Sequence, residues 1–116
     1  MNIPPRGVPS FITGSHAYGA PTEESDADLV IFVDQTTKQK LTDLSDTKGM
    51  PVRFGKLNLV MPDTSEEFDD WKKTTDILKY QSRKEGRPIS HDEAKDAFDP
   101  SLRKFYDTPL PPAYMG

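Results

Sequence analysis

Two apolar runs in the first third of the chain predict the first strands of a sheet. Residues 11–13 (Phe-Ile-Thr) form a short run that ends at Gly14, which predicts a strand leading into a tight turn. Residues 28–33 (DLVIFV) form a continuous run rich in β-branched side chains, the pattern of a strand that is buried on both faces at the centre of a sheet. Residues 15–25 between them are small and polar, which favours a helical turn followed by a loop.

The middle of the chain has weaker patterns. Residues 36–46 carry only two leucines as apolar contacts and predict a weak, mostly exposed helix. Residues 52–61 predict a further strand, in which Gly55-Lys56 marks either a bulge or a break into two pieces. Pro62 ends this strand.

The clearest helix follows Pro62. Its apolar and small side chains recur at helical spacing on one face, at Phe68, Trp71, Thr75, Leu78 and Ser82. Thr64 with Glu67 fits a capping box at its start, and Gly86 with Pro88 predicts its end. The first turns are acidic and the last are basic, which complements the helix dipole.

A second capping box, Ser90 with Glu93, predicts a short helix that runs to about Phe98. The predicted elements make a small α/β (α+β) fold in which helices pack on a short mixed sheet. The length of 116 residues suits one compact domain. We therefore predict a single domain over residues 1–98 and a proline-rich C-terminal tail over residues 99–116.

Composition and charge exclude several classes of protein. A net charge of −4 argues against a dedicated nucleic-acid binder, although a small anionic ligand could still be held locally. The absence of cysteine excludes disulfides and thiolate zinc sites. No apolar run approaches membrane-spanning length, and the N-terminus lacks the apolar core of a signal peptide. These features predict a cytoplasmic protein without a membrane partner.

Asp26 and Asp28 lie at the start of the buried strand. Residues two apart in a strand point to the same face, so the two carboxylates should converge. Two like charges held close together repel unless they share a cation, and Mg²⁺ takes oxygen ligands while keeping water or phosphate in its other positions. Taken alone, the pair is better explained as two solvated aspartates, and only together with the Gly14-Ser15 turn does it favour a metal site.

Gly14-Ser15 supplies a complementary half of a site. Glycine after a strand lets a ligand approach the backbone, and the amides that begin the next helix form an anion site. The spacer to Asp26 is long enough to place this turn beside the two carboxylates. One half would then hold triphosphate oxygens and the other a metal, an arrangement suited to in-line attack on phosphorus. An ordinary turn is the alternative interpretation of Gly14-Ser15.

Gly14-Ser15, a short spacer and then Asp26-Ala27-Asp28-Leu29 resemble the signature of the DNA polymerase β-like nucleotidyltransferase superfamily. The longer string GSHAYGAPTEESDADL resembles a branch of small predicted nucleotidyltransferases from bacteria and phages. The strong resemblance covers residues 11–33, and a weaker one covers residues 57–79. It implies a minimal nucleotidyltransferase fold that transfers a nucleoside monophosphate from an NTP, with ATP favoured, to an unknown acceptor. A phage-encoded protein would do so in the host cytoplasm.

The resemblance also implies roles for individual residues. It assigns Asp26 and Asp28 as catalytic Mg²⁺ ligands, and Gly14, Ser15 and Ser25 as contacts for the nucleotide phosphates.

The family pattern has a third carboxylate on a later strand, where it activates the attacking hydroxyl. Here Asn58 occupies that place, and asparagine can ligate a metal weakly but cannot accept a proton. Asp63 could substitute from the following loop or simply cap the helix. A catalytically degenerate nucleotide-binding or protein-interaction module of phage origin is therefore the alternative function, as is a site that a second protein completes.

Several aromatic residues near these motifs have two interpretations. His16 and Tyr18 could touch the base or ribose, but packing of the short helix explains them more simply. Phe68 and Trp71 could stack on a base, but their helical spacing with Leu78 favours the core.

Overall fold

The computed structural model of the chain describes residues 6–47, 52–99 and 110. The predicted tail over 99–116 therefore lies almost entirely outside the described residues, and the predicted boundary after residue 98 stays a prediction. The helices and strands follow one another as β1 (Ser10–Thr13), α1 (Ser15–Tyr18), β2 (Ala27–Ile31), α2 (Gln35–Leu44), β3 (Val52–Phe54), β4 (Leu57–Val60), α3 (Ser65–Glu85) and α4 (His91–Phe98). None of the helices in the described ranges is both long enough and apolar enough to cross a membrane.

The four strands form one mixed sheet in the order β1-β2-β4-β3. β2 pairs with β4 in parallel, while the two outer strands pair antiparallel to their neighbours. β2 is thus an inner strand, and its Leu29, Val30 and Ile31 are buried. This confirms the predicted α+β fold with a central, doubly covered strand.

The strand predicted over residues 52–61 is a β-hairpin. β3 and β4 pair antiparallel, and Gly55-Lys56 forms the turn between them. Gly55 has a φ of 61°, a value that two-residue hairpin turns require and that glycine adopts without strain. The predicted break is correct, but the chain reverses there, so the sheet has one strand more than the pattern indicated.

One face of the sheet packs against α2. Leu41 of α2 is fully buried in an apolar cluster that contains Leu29, Ile31, Val52, Leu59 and Met61. Leu44, the other leucine of α2, is 54% exposed. Only Leu41 anchors α2 in the apolar cluster, which explains why the hydrophobic periodicity of this helix is weak.

The opposite face packs against α3. The ring of Phe68 lies 5.2 Å from that of Phe11 and 6.0 Å from that of Phe32, measured between ring centroids. Nearer the end of β1, the hydroxyls of Thr13 and Thr75 form a buried hydrogen bond of 2.8 Å. The face covered by α3 therefore changes from aromatic to polar along β1.

Side-chain hydrogen bonds cap the first turns of α3 and α4, and a glycine ends α3. The Thr64 hydroxyl accepts from the N–H of Glu67, and Gly86 ends α3 with a φ of 66°. Glu67 reaches back to the N–H of Asp63 rather than to that of Thr64, so the predicted capping box is shifted by one residue. The Ser90 hydroxyl accepts from the N–H of Glu93 at the start of α4.

α4 packs against α1 and α3. Its Ala94 and Ala97 join Tyr18, Leu78 and Ile89 in a second buried cluster. The N–H of Ile89 donates to the carbonyl of Tyr18 at 2.9 Å, which ties the connection before α4 to α1.

The ion pair before α4 predicts a pH dependence. Arg87 donates to both carboxylate oxygens of Glu93 at 2.9 and 2.8 Å, and this bond, with the Ser90 hydroxyl and N–H, lowers the pKa of Glu93 from 4.5 to about 2. A lowered pKa stabilises the fold above pH 4.5, and this contribution disappears as the pH falls through about 2. At pH 6, the free energy of unfolding measured with denaturant should therefore be lower for Glu93→Gln than for the unchanged protein. This difference should vanish near pH 2.

Glu24→Gln is the control, because Glu24 is exposed and its carboxylate has no partner among the described residues. A difference for Glu93→Gln that stays constant from pH 6 to pH 2 would contradict this assignment.

Candidate functional site

The register of the sheet places four polar residues side by side. Thr13 pairs with Asp28, Asp28 pairs with Asn58, and Asn58 pairs with Arg53. Paired residues on neighbouring strands project from the same face of a sheet. Since Thr13 contacts α3, this polar row lies on the α3 face, at the end away from the phenylalanine cluster.

Asp28 lies directly against the backbone of Gly14. A Cβ atom added to Gly14 would come within 2.2 Å of the Asp28 Oδ2 atom, closer than any side chain allows. Gly14 also has a φ of 74°, a backbone conformation that glycine adopts without strain. The structure thus brings the predicted turn and the predicted carboxylate into contact, and only glycine fits between them.

Asn58 completes the centre of the row. Its Nδ2 atom donates to Asp28 Oδ1 at 3.2 Å. Its Oδ1 atom is the one buried side-chain oxygen or nitrogen in the described ranges that has no hydrogen-bond partner. A buried polar atom without a partner destabilises the fold by about 1–3 kcal/mol, because it has lost its hydrogen bonds to water. A cation or a hydrogen-bond donor that reached Asn58 Oδ1 would therefore stabilise the site.

The oxygen atoms of Asp26, Asp28 and Asn58 suit Mg²⁺ by type, because all of them are carboxylate or amide oxygens. Among the described residues, no group of three or more His, Cys, Asp or Glu side chains could hold a metal ion. A metal held by Asp26 and Asp28 would therefore need a neutral third ligand, and the unpartnered oxygen of Asn58 is the one at hand.

Asp26 is paired with an arginine that the sequence analysis did not single out. The Nη2 atom of Arg53 donates to Asp26 Oδ1 and Oδ2 at 2.8 and 2.9 Å, and its Nε atom donates to the carbonyl of Gly55 at 2.9 Å. Both members of the pair are partly exposed, at 31% for Asp26 and 40% for Arg53. Arg53 therefore supplies the opposite charge nearest to Asp26.

The alternation of β3 could have identified Arg53. If the hairpin at Gly55 is recognised, Arg53 falls opposite Asn58, on the face that carries Asp28. With residues 52–61 interpreted as one strand, the position of Arg53 opposite Asn58 could not be inferred.

The other residues predicted to bind phosphate lie around the same turn. Ser15 begins α1 directly after Gly14. The Ser25 hydroxyl accepts from the N–H of Thr22 at 2.9 Å and thus closes the loop that leads into β2. His16 is exposed, and its Nε2 atom lies 3.4 Å from the Ser25 carbonyl.

Tyr18 lies near Asp28, whereas Asp63 lies apart from the predicted metal ligands. Tyr18 is buried, and burial raises the pKa of its hydroxyl despite a hydrogen bond with Thr13, so this side chain packs α1 as a neutral group. The carboxylate of Asp63 is engaged by Lys38 and Gln35 of α2, and the hydrogen bond from Lys38 lowers its pKa. The polar row does not include Asp63.

A cavity of about 830 Å³ extends from this turn toward α4. Gly14, Ser15 and Asp28 line one part of it. Side chains of the helices line another part, including Trp71, Phe98, His91 and Lys95. The cavity thus joins the predicted phosphate turn to an aromatic and basic wall.

Trp71 belongs to that wall. Its ring centroid lies 4.6 Å from that of Phe98, and the ring also faces the cavity. The helical spacing that assigned Trp71 to the core therefore describes only part of its role.

Comparison with known proteins agrees with the geometry. The model of the nucleotidyltransferase domain family matches residues 5–89, which is most of the chain and extends from the start of the sheet through α3. No curated protein and no solved structure matches the chain. α4 lies outside the matched residues. Because the family model covers well over half of its length, the chain belongs to the nucleotidyltransferase domain family.

Proposed function

We propose that this protein transfers a nucleoside monophosphate from an NTP to an acceptor hydroxyl with the help of Mg²⁺. The observation that carries the proposal is the contact between the Asp28 carboxylate and the Gly14 backbone, at one end of a cavity that both residues line. Membership of the nucleotidyltransferase family supports an NTP as the substrate.

In this proposal the phosphates lie at the Gly14-Ser15 turn. Glycine leaves the backbone open to close approach, and the Ser15 hydroxyl adds a donor. Both residues line the cavity, so a ligand inside it can reach them. Ser25, whose hydroxyl is used by Thr22, contributes by holding the loop that presents Asp26.

Three oxygen donors form the proposed metal site. They are the carboxylates of Asp26 and Asp28 and the unpartnered amide oxygen of Asn58. A bound Mg²⁺ would neutralise the charge of the phosphate oxygens. Asp28, which is shared by the turn and the polar row, is the residue on which both halves of the site depend.

The reaction replaces one bond to phosphorus by another. The acceptor oxygen bonds to the α-phosphorus, the bond to the bridging α–β oxygen breaks, and pyrophosphate leaves. The protein contributes mainly by holding the reacting groups in line. Since Asn58 cannot accept a proton, the proton of the acceptor hydroxyl passes to water or to one of the two aspartates.

The nucleoside in this proposal occupies the cavity toward α4. A volume of about 830 Å³ lies within the range of small-molecule sites and suits a nucleotide such as ATP. Trp71 and Phe98 offer aromatic surface for a base, while Lys95 offers a positive charge that attracts the anionic nucleotide. All three residues line the same cavity.

Binding of nucleotide or of a protein partner without turnover is the second candidate function. Two observations favour it: the third ligand position holds neutral Asn58, and Asp26 is already paired with Arg53. The resemblance of residues 14–29 to a bacterial and phage branch supports a phage origin, and with it an action in the host cytoplasm, for either candidate.

Asp28→Asn tests the proposed reaction. Purified protein, Mg²⁺, a cell lysate as the source of acceptor and NTPs labelled at the α-phosphate should give a labelled product, whereas label at the γ-phosphate should leave as pyrophosphate. Loss of the Asp28 charge should slow labelling by about 100-fold or more, because charge stabilisation at the reacting phosphate contributes on this scale. Asp69→Asn, an exposed change in α3, should label at the normal rate.

The outcomes separate the two candidates. Calorimetric binding of ATP with Mg²⁺ that depends on Asp28, without any transfer of the α-label, would favour the non-catalytic candidate. Transfer that is equally fast in Asp28→Asn, or the absence of both binding and transfer, would contradict the proposed site.

Lys95→Gln tests the placement of the nucleotide in the cavity. Lys95 is exposed and lines the cavity, so removing its charge should weaken ATP binding by roughly two- to fivefold, the size of an exposed ion pair. Calorimetry with ATP and Mg²⁺ measures this change. Lys84→Gln is the control with the same change in net charge, since exposed Lys84 lies in the last turn of α3 and does not line the cavity. Equal affinities in the two variants would contradict the placement.

A further inference from the structure

Arg53 occupies the carboxylate that the proposed metal site needs. We propose that Arg53 is an internal competitor of the metal: it holds Asp26 until a divalent cation displaces it, and it thereby sets the metal affinity of the site. This inference rests on the proposed function, since it concerns the same metal site, and it adds a residue that determines how tightly that site binds.

The geometry of the pair sets the Arg53 guanidinium in competition with a cation for Asp26. One nitrogen of Arg53 donates to both oxygens of Asp26, at 2.8 and 2.9 Å. These are the atoms with which Asp26 would ligate a cation. A cation that approached Asp26 with the guanidinium still in place would also meet its positive charge at close range, which opposes binding.

The pair is weak enough to be displaced. Asp26 is 31% exposed and Arg53 is 40% exposed, and ion pairs with this degree of exposure contribute little to stability. Arg53 has a second anchor, the hydrogen bond from its Nε atom to the Gly55 carbonyl at 2.9 Å. A displaced guanidinium therefore keeps a partner on the hairpin turn, and the sheet does not depend on the Asp26 contact.

The net charge of the proposed metal site makes the effect of Arg53 large relative to the whole site. Asp26, Asp28 and Arg53 together carry one net negative charge, and Asn58 adds none. Removing Arg53 would double the negative charge that faces a cation. Arg53 therefore has more influence on a site with a neutral third ligand than it would have beside a third carboxylate.

Titration of the full-length protein with Mn²⁺ by calorimetry tests the inference without any need for turnover. The signal that Asp28→Asn removes defines binding at this site and separates it from binding to other acidic surfaces. Arg53→Gln should bind Mn²⁺ roughly three- to tenfold tighter than the unchanged protein, because a nearby competing charge is gone. Arg6→Gln, which removes an exposed arginine outside the sheet, should leave the affinity unchanged.

A double-mutant cycle distinguishes competition for Asp26 from a general charge effect. If Arg53 acts through Asp26, the tightening by Arg53→Gln should fall below about twofold when Asp26→Asn is also present. Arg53→Lys keeps the charge but not the forked donor geometry, so its affinity should lie between those of the unchanged protein and Arg53→Gln. Circular dichroism on every variant verifies that the fold is retained.

The results separate this inference from the proposed function. Equal Mn²⁺ affinity in Arg53→Gln and the unchanged protein, or equal tightening with and without Asp26, overturns the competitor role and leaves the metal site standing. Binding to Arg53→Gln alone supports competition in its strongest form. If neither protein shows binding that depends on Asp28, the metal site itself is refuted and the inference falls with it.

Discussion

The contact between Asp28 and Gly14 is the constraint on which the rest of this site depends. Antiparallel pairing of β1 with β2 sets Thr13 opposite Asp28, so the residue after Thr13 meets the Asp28 carboxylate as the chain turns away. Any side chain at this position would overlap with Asp28 Oδ2. The same contact brings the phosphate turn, the polar row and one part of the cavity together, which is why a small domain can hold all three.

The residues that stabilise the sheet and the residues proposed to act on a ligand lie on different parts of it. The α2 face carries an apolar cluster that surrounds the buried Leu41. The α3 face has a phenylalanine cluster at one end and polar side chains at the other, with the Thr13–Thr75 hydrogen bond between them. A chain with only 34% hydrophobic residues can thus build an apolar cluster on one face and still leave Asp28 beside a cavity on the other.

Much of this arrangement could be predicted from the sequence, because the signals were local. The continuous apolar run identified the central strand, and the cap residues identified where α3 and α4 begin. The position of Gly14 beside Asp28 also follows from local order. A strand, a short helix with its loop and a second strand bring the chain back to the same edge of the sheet. The hairpin was different, since Gly55-Lys56 is equally consistent with a bulge, and the position of Arg53 depends on which of the two forms.

The cavity could not have been predicted, because it depends on contacts between distant segments. Trp71 of α3 meets Phe98 of α4, and the buried alanines of α4 set how closely that helix packs against α1. Helical spacing shows that Trp71 points inward, but not that the surface it reaches is partly open. The wall formed by α4 also lies beyond the residues that match the family, so a family resemblance gives no guidance there.

A crystal structure of the protein with Mn²⁺ and a non-hydrolysable ATP analogue would show whether Asp28 joins a metal site to the phosphate turn. We expect one anomalous peak that contacts Asp26, Asp28 and the Oδ1 atom of Asn58, with triphosphate oxygens against the Gly14-Ser15 turn and the base in the cavity beside α4. Binding of the analogue elsewhere, with Asp28 and Asn58 still bonded only to each other and without an ion beside them, would contradict it.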